Sequence, residues 1–291
     1  MVSNNFEYFA PDTFDEAARL LAKYRDGGKI VAGGYSLIPL MKLRLASPDA
    51  LIDIGNIGEL KSITGNGGGL SVGSMATYYE ISQSSAVQSA APALAEAAGQ
   101  VVDVQVRNRG TIGGSLAHSD PAGDLPAVFL ALGGIIVAKT RRGSREIAAE
   151  RFFVDLLTTA LRPTAIITEI RFPSAGARSG SAYNKFANKA SHYAVAGVAA
   201  LVTLASDGTV ADARVAVTGV GSKATRAKRT ERILKGKEPT LAVIRRASDR
   251  AAVEMAGDVT DDIHASAEYR EHLARVMAEN AITSAVARAA G

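Results

Sequence analysis

Apolar and polar positions divide this chain into short elements, and the pattern changes character past its middle. Phe14, Ala17, Ala18, Leu21 and Tyr24 share one helical face. Thr13, with Glu16 three positions on, has the form of a capping box that places the helix start. Gly27-Gly28 is expected to stop this helix. Residues 29–32 then predict a short strand, 36–45 a helix whose Pro39 fits only its first turn, and 51–54 a second strand. Residues 60–64 and 70–73 flank Asn66-Gly67-Gly68-Gly69 and predict a hairpin. Thr77 with Glu80 is a second capping box, and helices are expected over 92–101 and 126–132, strands over 135–138 and 165–172.

A small, polar stretch at 173–181 is the best candidate boundary in the chain. Beyond it, 182–187, 195–204 and 210–217 read as strands, with Asp207-Gly208 as a hairpin turn between the last two. Residues 241–255 and 269–288 read as two long helices. Strands followed by helices predict an α+β arrangement with helices on one sheet face. The expected division is 1–175, in lobes of about 1–57 and 58–175, then 177–291.

Two glycine pairs stand about eighty positions apart, in Ala32-Gly33-Gly34-Tyr35-Ser36-Leu37 and in Thr111-Ile112-Gly113-Gly114-Ser115-Leu116. A glycine pair brings backbone N–H groups close to a ligand and permits positive φ. Two of them, each beside a hydroxyl, suit the pyrophosphate of a dinucleotide. The competing reading is a pair of tight turns. Neither pair is a Gly-x-Gly-x-x-Gly fingerprint or a Gly-x4-Gly-Lys-Ser/Thr loop, so the common NAD and ATP sites are disfavoured.

His118-Ser119-Asp120 is no hydrolase relay, because adjacent residues point in different directions. Asp120 and Asp124 read either as helix-start residues or as acceptors for sugar or ribityl hydroxyls. Lys185 reads as a solvated strand residue or as a charge near a ring system, and Tyr193 as core or as a ring-stacking residue.

The chain has no cysteine, which excludes disulfides and cysteine-ligated iron–sulfur clusters. Four histidines show no metal-ligand spacing, and no metal site is expected. Net charge is +4, with basic residues gathered at 223–237. That stretch reads as a solvated helix face or as a docking surface for an acidic partner. Without interleaved aromatics it does not point to nucleic acid. No apolar run is long enough to span a bilayer, the first residues do not form a signal peptide, and a cytoplasmic protein is expected.

The stretch from Ala32 to Lys42 closely resembles the first FAD loop of the medium, flavoprotein subunit of molybdenum hydroxylases. Arg109 to Ala127 resembles the second, and Ser191-His192-Tyr193-Ala194 and Ala267-Glu268-Tyr269-Arg270 look like the family's C-terminal landmarks. The resemblance spans nearly the whole chain. It implies a two-lobed FAD-binding domain of the vanillyl-alcohol-oxidase (PCMH) type, then a carbon-monoxide-dehydrogenase flavoprotein C-terminal α+β domain. It implies that Ala32 to Ser36 and Thr111 to Ser115 bind FAD phosphates and ribityl through N–H groups and hydroxyls. By the same resemblance Leu37, Val101 and Asp120 belong to the FAD site, and Asp124 holds a hydroxyl. Ile167 touches the ring system, Lys185 its polar edge, and Tyr193 lies against the isoalloxazine. Tyr35 stands where His or Gln is common in the family, and Ser115 where Asn is common.

The resemblance further implies an electron-transfer subunit in a heteromeric oxidoreductase, with no acid–base or nucleophilic residue of its own. A large partner subunit carries the molybdenum cofactor and a small one two [2Fe-2S] clusters, in a dimer of heterotrimers. The rival expectation is a self-sufficient FAD-dependent oxidase of the same superfamily acting on a small molecule.

Overall fold

The computed structural model describes residues 2–67, 69–101 and 103–291; Gly68, in the expected hairpin turn, lies outside the described residues. The first lobe is a parallel sheet of β1 (Glu7–Phe9), β2 (Gly28–Val31) and β3 (Ala50–Asp53), ordered β1-β3-β2. Between its strands lie α1 (Phe14–Tyr24) and α2 (Leu37–Lys42). Thr13 caps α1 by accepting from the Glu16 amide, and Ala17, Ala18 and Leu21 pack on Ile52 and Ile54. The glycines at 27–28 do not stop the helix. Arg25 does, turning to φ +48, and Gly28 is already the first residue of β2. A Cβ on Gly28 would stand 2.9 Å from the Tyr24 Cβ, so glycine there lets the strand pass beside the helix's last turn. Helix α2 ends at Lys42 rather than 45, and Arg44 turns to φ +60 just beyond it.

The second lobe begins with the hairpin of β4 (Ile63–Asn66) and β5 (Gly69–Gly73). Helices α3 (Tyr78–Gln83), α4 (Ser85–Ala90), α5 (Pro92–Gln100), α6 (Val104–Arg109), α7 (Ile112–His118) and α8 (Asp124–Ala131) follow. Strands β6 (Ile135–Thr140) and β7 (Gly143–Ala148), a small hairpin of β8 (Phe153–Asp155) and β9 (Thr158–Thr159), and β10 (Ile166–Pro173) complete it. The sheet is antiparallel, ordered β4-β5-β10-β6-β7. Thr77 and Glu80 form the full reciprocal capping box at α3. Every residue of α8 is buried, which fits the apolar composition of all that follows Asp124 at its start.

The remaining sheet is β11 (Ser179–Ala187), β12 (Ala194–Leu204), β13 (Val210–Thr218) and β14 (Thr225–Arg226), antiparallel and in that order. The turn before β13 places Gly208 at φ +84, at the expected Asp207-Gly208. Helices α9 (Lys228–Leu234), α10 (Leu241–Ser248) and α11 (Ala267–Ala290) share one apolar cluster with Ala196, Val198, Ala200, Val202, Val215 and Val217. The opposite face, with Tyr183, Ala199 and Ala216, belongs to the cluster built on α5 and α8. The sheet is therefore covered on both faces, and β12 reads as an unbroken apolar run for that reason. The single helix expected over 241–255 ends at Ser248; a turn and a 3₁₀ segment, Val253–Met255, follow.

Candidate functional site

The first glycine pair lies at the carboxyl end of β2, where open parallel sheets place their ligand crevices. Gly34 adopts φ +79, a conformation natural to glycine. Among the described residues, no protein acceptor takes a hydrogen bond from the amides of residues 32–36. Ser36 stands at the start of α2 but makes no side-chain cap. Tyr35 is exposed, and Leu37 packs against Val31, Met41 and Leu51. The loop is thus a run of five donors with no acceptor among the described residues.

The second pair is not a loop. Gly113 and Gly114 form the first turn of α7, capped by Thr111. All four early amides are engaged: Ile112 donates to the Ala76 carbonyl (3.1 Å), Gly113 to that of Ser74 (2.9 Å), Gly114 to Thr111 Oγ1 (3.1 Å) and Ser115 to the Thr111 carbonyl (3.0 Å). The amides of residues 112–115 are thus engaged within the chain rather than open. Their glycines serve contact instead. A Cβ on Gly113 would lie 2.6 Å from the Ser74 Cβ, and one on Gly114 2.9 Å from Thr111 Oγ1 and 3.9 Å from the Ala32 Cβ. A Cβ on Gly33 would fall on the Arg109 carbonyl oxygen. The two glycine segments, far apart in sequence, therefore touch each other.

After α7, Ser119 takes φ +54 as the helix cap, and Asp120 Oδ1 accepts from the Ala122 amide (2.9 Å). Residues 121–123 are stitched to the ends of β12 and β13. Gly219 donates to the Pro121 carbonyl (2.7 Å), and Thr218 Oγ1 to the carbonyls of Pro121 (2.8 Å) and Gly123 (2.7 Å). Asp124 follows, buried, with one oxygen accepting from the Tyr183 hydroxyl (2.5 Å) and the other from Lys185 Nζ (2.9 Å). Burial pushes the Asp124 carboxyl above its ordinary range, against the pull of the Lys185 ammonium. Burial and the neighbouring Asp124 likewise push the Tyr183 hydroxyl well up.

Lys185 is not a solvated strand residue: its side chain is 5% exposed and also donates to the His192 carbonyl (3.1 Å). Tyr193 is not core. It is 45% exposed, at the mouth of the same region as Asp120 and Asp124, and burial followed by those two charges raises its hydroxyl. Val101 and Ile167 lie in the core, at 8% and 5% exposure. Val101 ends α5, and its carbonyl accepts from Arg107.

Two tyrosines escaped the sequence reading. Tyr78 packs its ring over Gly110. Burial pushes its hydroxyl up to about 12. Tyr183 is 2% exposed, and Gly197, on the neighbouring strand, leaves room for its hydroxyl. Only the place of Tyr78 inside a capping box hinted at the first. No signal marked the second.

The basic stretch at 223–237 is partly internal. Arg226 is held by Glu231 (2.5 Å) and Glu150 (2.9 Å), and Lys223 binds the Val154 carbonyl. Lys228, Arg229, Arg232 and Lys237 remain exposed. Among the described residues, no helix is long and apolar enough to cross a membrane.

Residues 4–175 match the family described as FAD binding domain in molybdopterin dehydrogenase, and residues 181–285 the CO dehydrogenase flavoprotein C-terminal domain. The chain is 38% identical over 290 residues to the carbon monoxide dehydrogenase medium chain of Hydrogenophaga pseudoflava, covering all of both. It is 35% identical to the 6-hydroxypseudooxynicotine dehydrogenase complex subunit alpha of Paenarthrobacter nicotinovorans, covering 98% of this chain and 96% of that one. A solved structure of carbon monoxide dehydrogenase from Hydrogenophaga pseudoflava superposes with a TM-score of 0.93 at 39% identity, covering 99% of each chain. The chain therefore belongs to the FAD-binding medium-subunit family of the molybdenum hydroxylases, a family of oxidoreductases.

Proposed function

We propose that this chain is the electron-transfer subunit of a cytoplasmic, heteromeric molybdenum hydroxylase. It takes electrons from iron–sulfur clusters on a small partner subunit and passes them to an external acceptor. A large partner holds the molybdenum cofactor, in a dimer of heterotrimers. The reading divides the chain into an FAD-binding part, 1–175, and a C-terminal part, 177–291.

The observation that carries the proposal is the run of amides at 32–36 with no acceptor among the described residues, with Gly34 at φ +79 and the Ser36 side chain making no cap. Five N–H donors at a strand's carboxyl end fit an anionic pyrophosphate. In this reading residues 32–36 hold the phosphates. Thr111 to Ser115 and Leu37 shape the seat by packing. Asp120 and Asp124 lie toward the ribityl hydroxyls, Tyr193 flanks the ring, and Lys185 steadies that wall from beneath. Val101 and Ile167 support it from the core. When bound, FAD supplies the redox chemistry; the chain binds it, orients it and sets the charge around it. The absence of cysteine supports a partner as the electron source.

The test is direct. The purified chain, titrated with FAD, should develop a bound flavin spectrum. Co-expression with its genomic neighbours should bring down an iron–sulfur chain and a molybdenum chain. Failure to hold FAD would overturn the reading, and FAD binding without partners would leave the lone oxidase standing. The named relatives act on carbon monoxide and on a nicotine derivative, so the substrate is to be sought on the large subunit.

A further inference from the structure

Six residues, 188–193, join β11 to β12 and carry Tyr193. A connection of that length between antiparallel strands has many available conformations, and Tyr193 is 45% exposed with no side-chain hydrogen bond among the described residues. What fixes it is Asn188. The Asn188 amide donates to the Tyr193 carbonyl (2.9 Å), and the His192 amide to the Asn188 carbonyl (2.8 Å), closing the turn at both ends. The side-chain oxygen of Asn188 accepts from the amides of Ala190 (2.8 Å) and Ser191 (3.0 Å). Its Nδ2, which can only donate, stands 3.2 Å from His264 Nδ1. One residue thus makes five hydrogen bonds within or beside the turn.

The turn is also gripped from beneath. Lys185, whose ammonium is paired with Asp124, donates to the His192 carbonyl (3.1 Å). His192 sits at φ +56, a conformation that a non-glycine residue holds only when its surroundings impose it. Asn188 on the outside and Lys185 on the inside together impose it.

We infer that Asn188 is a positioning residue for the flavin site: it holds the 188–193 turn so that Tyr193 keeps a single orientation. This rests on the proposed reading that Tyr193 flanks the flavin ring. Asparagine suits the task because its oxygen serves two amides while its NH₂ serves His264. Aspartate keeps an acceptor oxygen for both amides and loses the donor; alanine loses both.

Two measurements on the full chain test it. In the FAD-free protein, N188A should speed hydrogen exchange at the amides of Ala190 and Ser191 by about 10-fold or more, leaving β12 amides unchanged, and N188D should restore protection. In the FAD-loaded protein, N188A should release the quenching of flavin fluorescence to the level of Y193A, and N188D should bring it back. Unchanged exchange in N188A, or wild-type quenching in N188A while Y193A loses it, overturns the inference and leaves the functional reading intact. A wild-type chain that binds no FAD, or a Y193A variant that quenches as wild type does, overturns the placement of Tyr193 and the inference with it. An N188A protein too unstable to load with FAD is still decided by H264A, which removes only the outer contact. H264A should keep protection at Ala190 and Ser191 within about 3-fold of wild type, and a loss as large as that expected for N188A overturns the inference.

Discussion

At residues 32–36 five consecutive amides reach no acceptor among the described residues, whereas at 112–115 all four are taken by Ala76, Ser74 and Thr111. In sequence the two segments look alike, each a glycine pair with a serine within two positions after it. In the fold the first is an open cradle at the end of β2, with Gly34 at φ +79, and the second is the start of a capped helix pressed on its neighbours. Glycine meets two different needs here. In the first segment it supplies backbone conformation, and in the second it removes a Cβ that has no room. The second segment is the keystone: it touches the first loop through Gly33 and Arg109, the 74–78 stretch through Gly113, and the C-terminal sheet through residues 121–124.

If the second segment's work is architectural, its deepest anchor should matter most to stability. Lys185→Met leaves the Asp124 carboxylate buried without its cation, and breaking such a pair costs about 3–5 kcal/mol. Urea denaturation should show that loss at neutral pH. The pH dependence has a definite sign. Burial already raises the Asp124 carboxyl in the folded chain, and removing Lys185 raises it further. A carboxyl raised on folding favours the folded state below its ordinary value, about 3.9, and that advantage is lost as pH rises through the raised value. The deficit of the variant should therefore shrink toward pH 4 and widen toward pH 7. A constant deficit would mean that Asp124 is not the group left unpaired.

Gly113→Val should come next. Its Cβ meets Ser74 Cβ at 2.6 Å and the Ser74 carbonyl oxygen at 2.7 Å, and the latter is backbone that cannot swing away. Overpacking of this kind costs about 3 kcal/mol. The melting temperature should fall, and FAD affinity, measured well below the melting range, should change little.

Gly34→Ala reverses the balance. A non-glycine residue at φ +79 bears about 1 kcal/mol of strain, so the stability loss is modest. Relieving the strain re-aims the amides around it, and FAD affinity should drop about 10-fold, the equivalent of about 1.4 kcal/mol. If Gly113→Val and Gly34→Ala lowered stability and affinity in the same proportion, the division of labour between the two segments would collapse.

How much of this was readable beforehand follows from what each signal depends on. Local signals were legible: Thr77 with Glu80 is a full capping box, and the apolar run of β12 is the strand buried on both faces. The resemblance at both glycine segments led to the right family. The α7 helix was hidden because tandem glycines are poor helix formers, and only the Thr111 cap and packing on Ser74 sustain it. The stop at Arg25 was hidden because positive φ at arginine has no sequence signature. At the site, Lys185 and Tyr193 were named, yet their surroundings were not legible. The partners of Lys185 stand sixty-one and seven positions away, and Tyr183 gave no cue of any kind. Engagement of an amide is a property of the fold, which is why two like segments could not be told apart from their letters.

Gly114→Ala is the finest probe of that difference. Alanine in a helix is favoured over glycine by about 0.5–1 kcal/mol. Against this, its Cβ would crowd Thr111 Oγ1 at 2.9 Å, the cap of the same helix, and a displaced cap costs about 1 kcal/mol. The two effects nearly cancel, and stability should stay within about 0.5 kcal/mol of wild type. The methyl group points toward Ala32, 3.9 Å away, on the side where the two segments meet. If only the first segment donates to the phosphates, FAD affinity should fall no more than about 3-fold, well short of Gly34→Ala. If affinity instead fell 10-fold or more, the α7 amides must leave Ser74, Ala76 and Thr111 when FAD binds, and the keystone would be a second cradle that opens on loading.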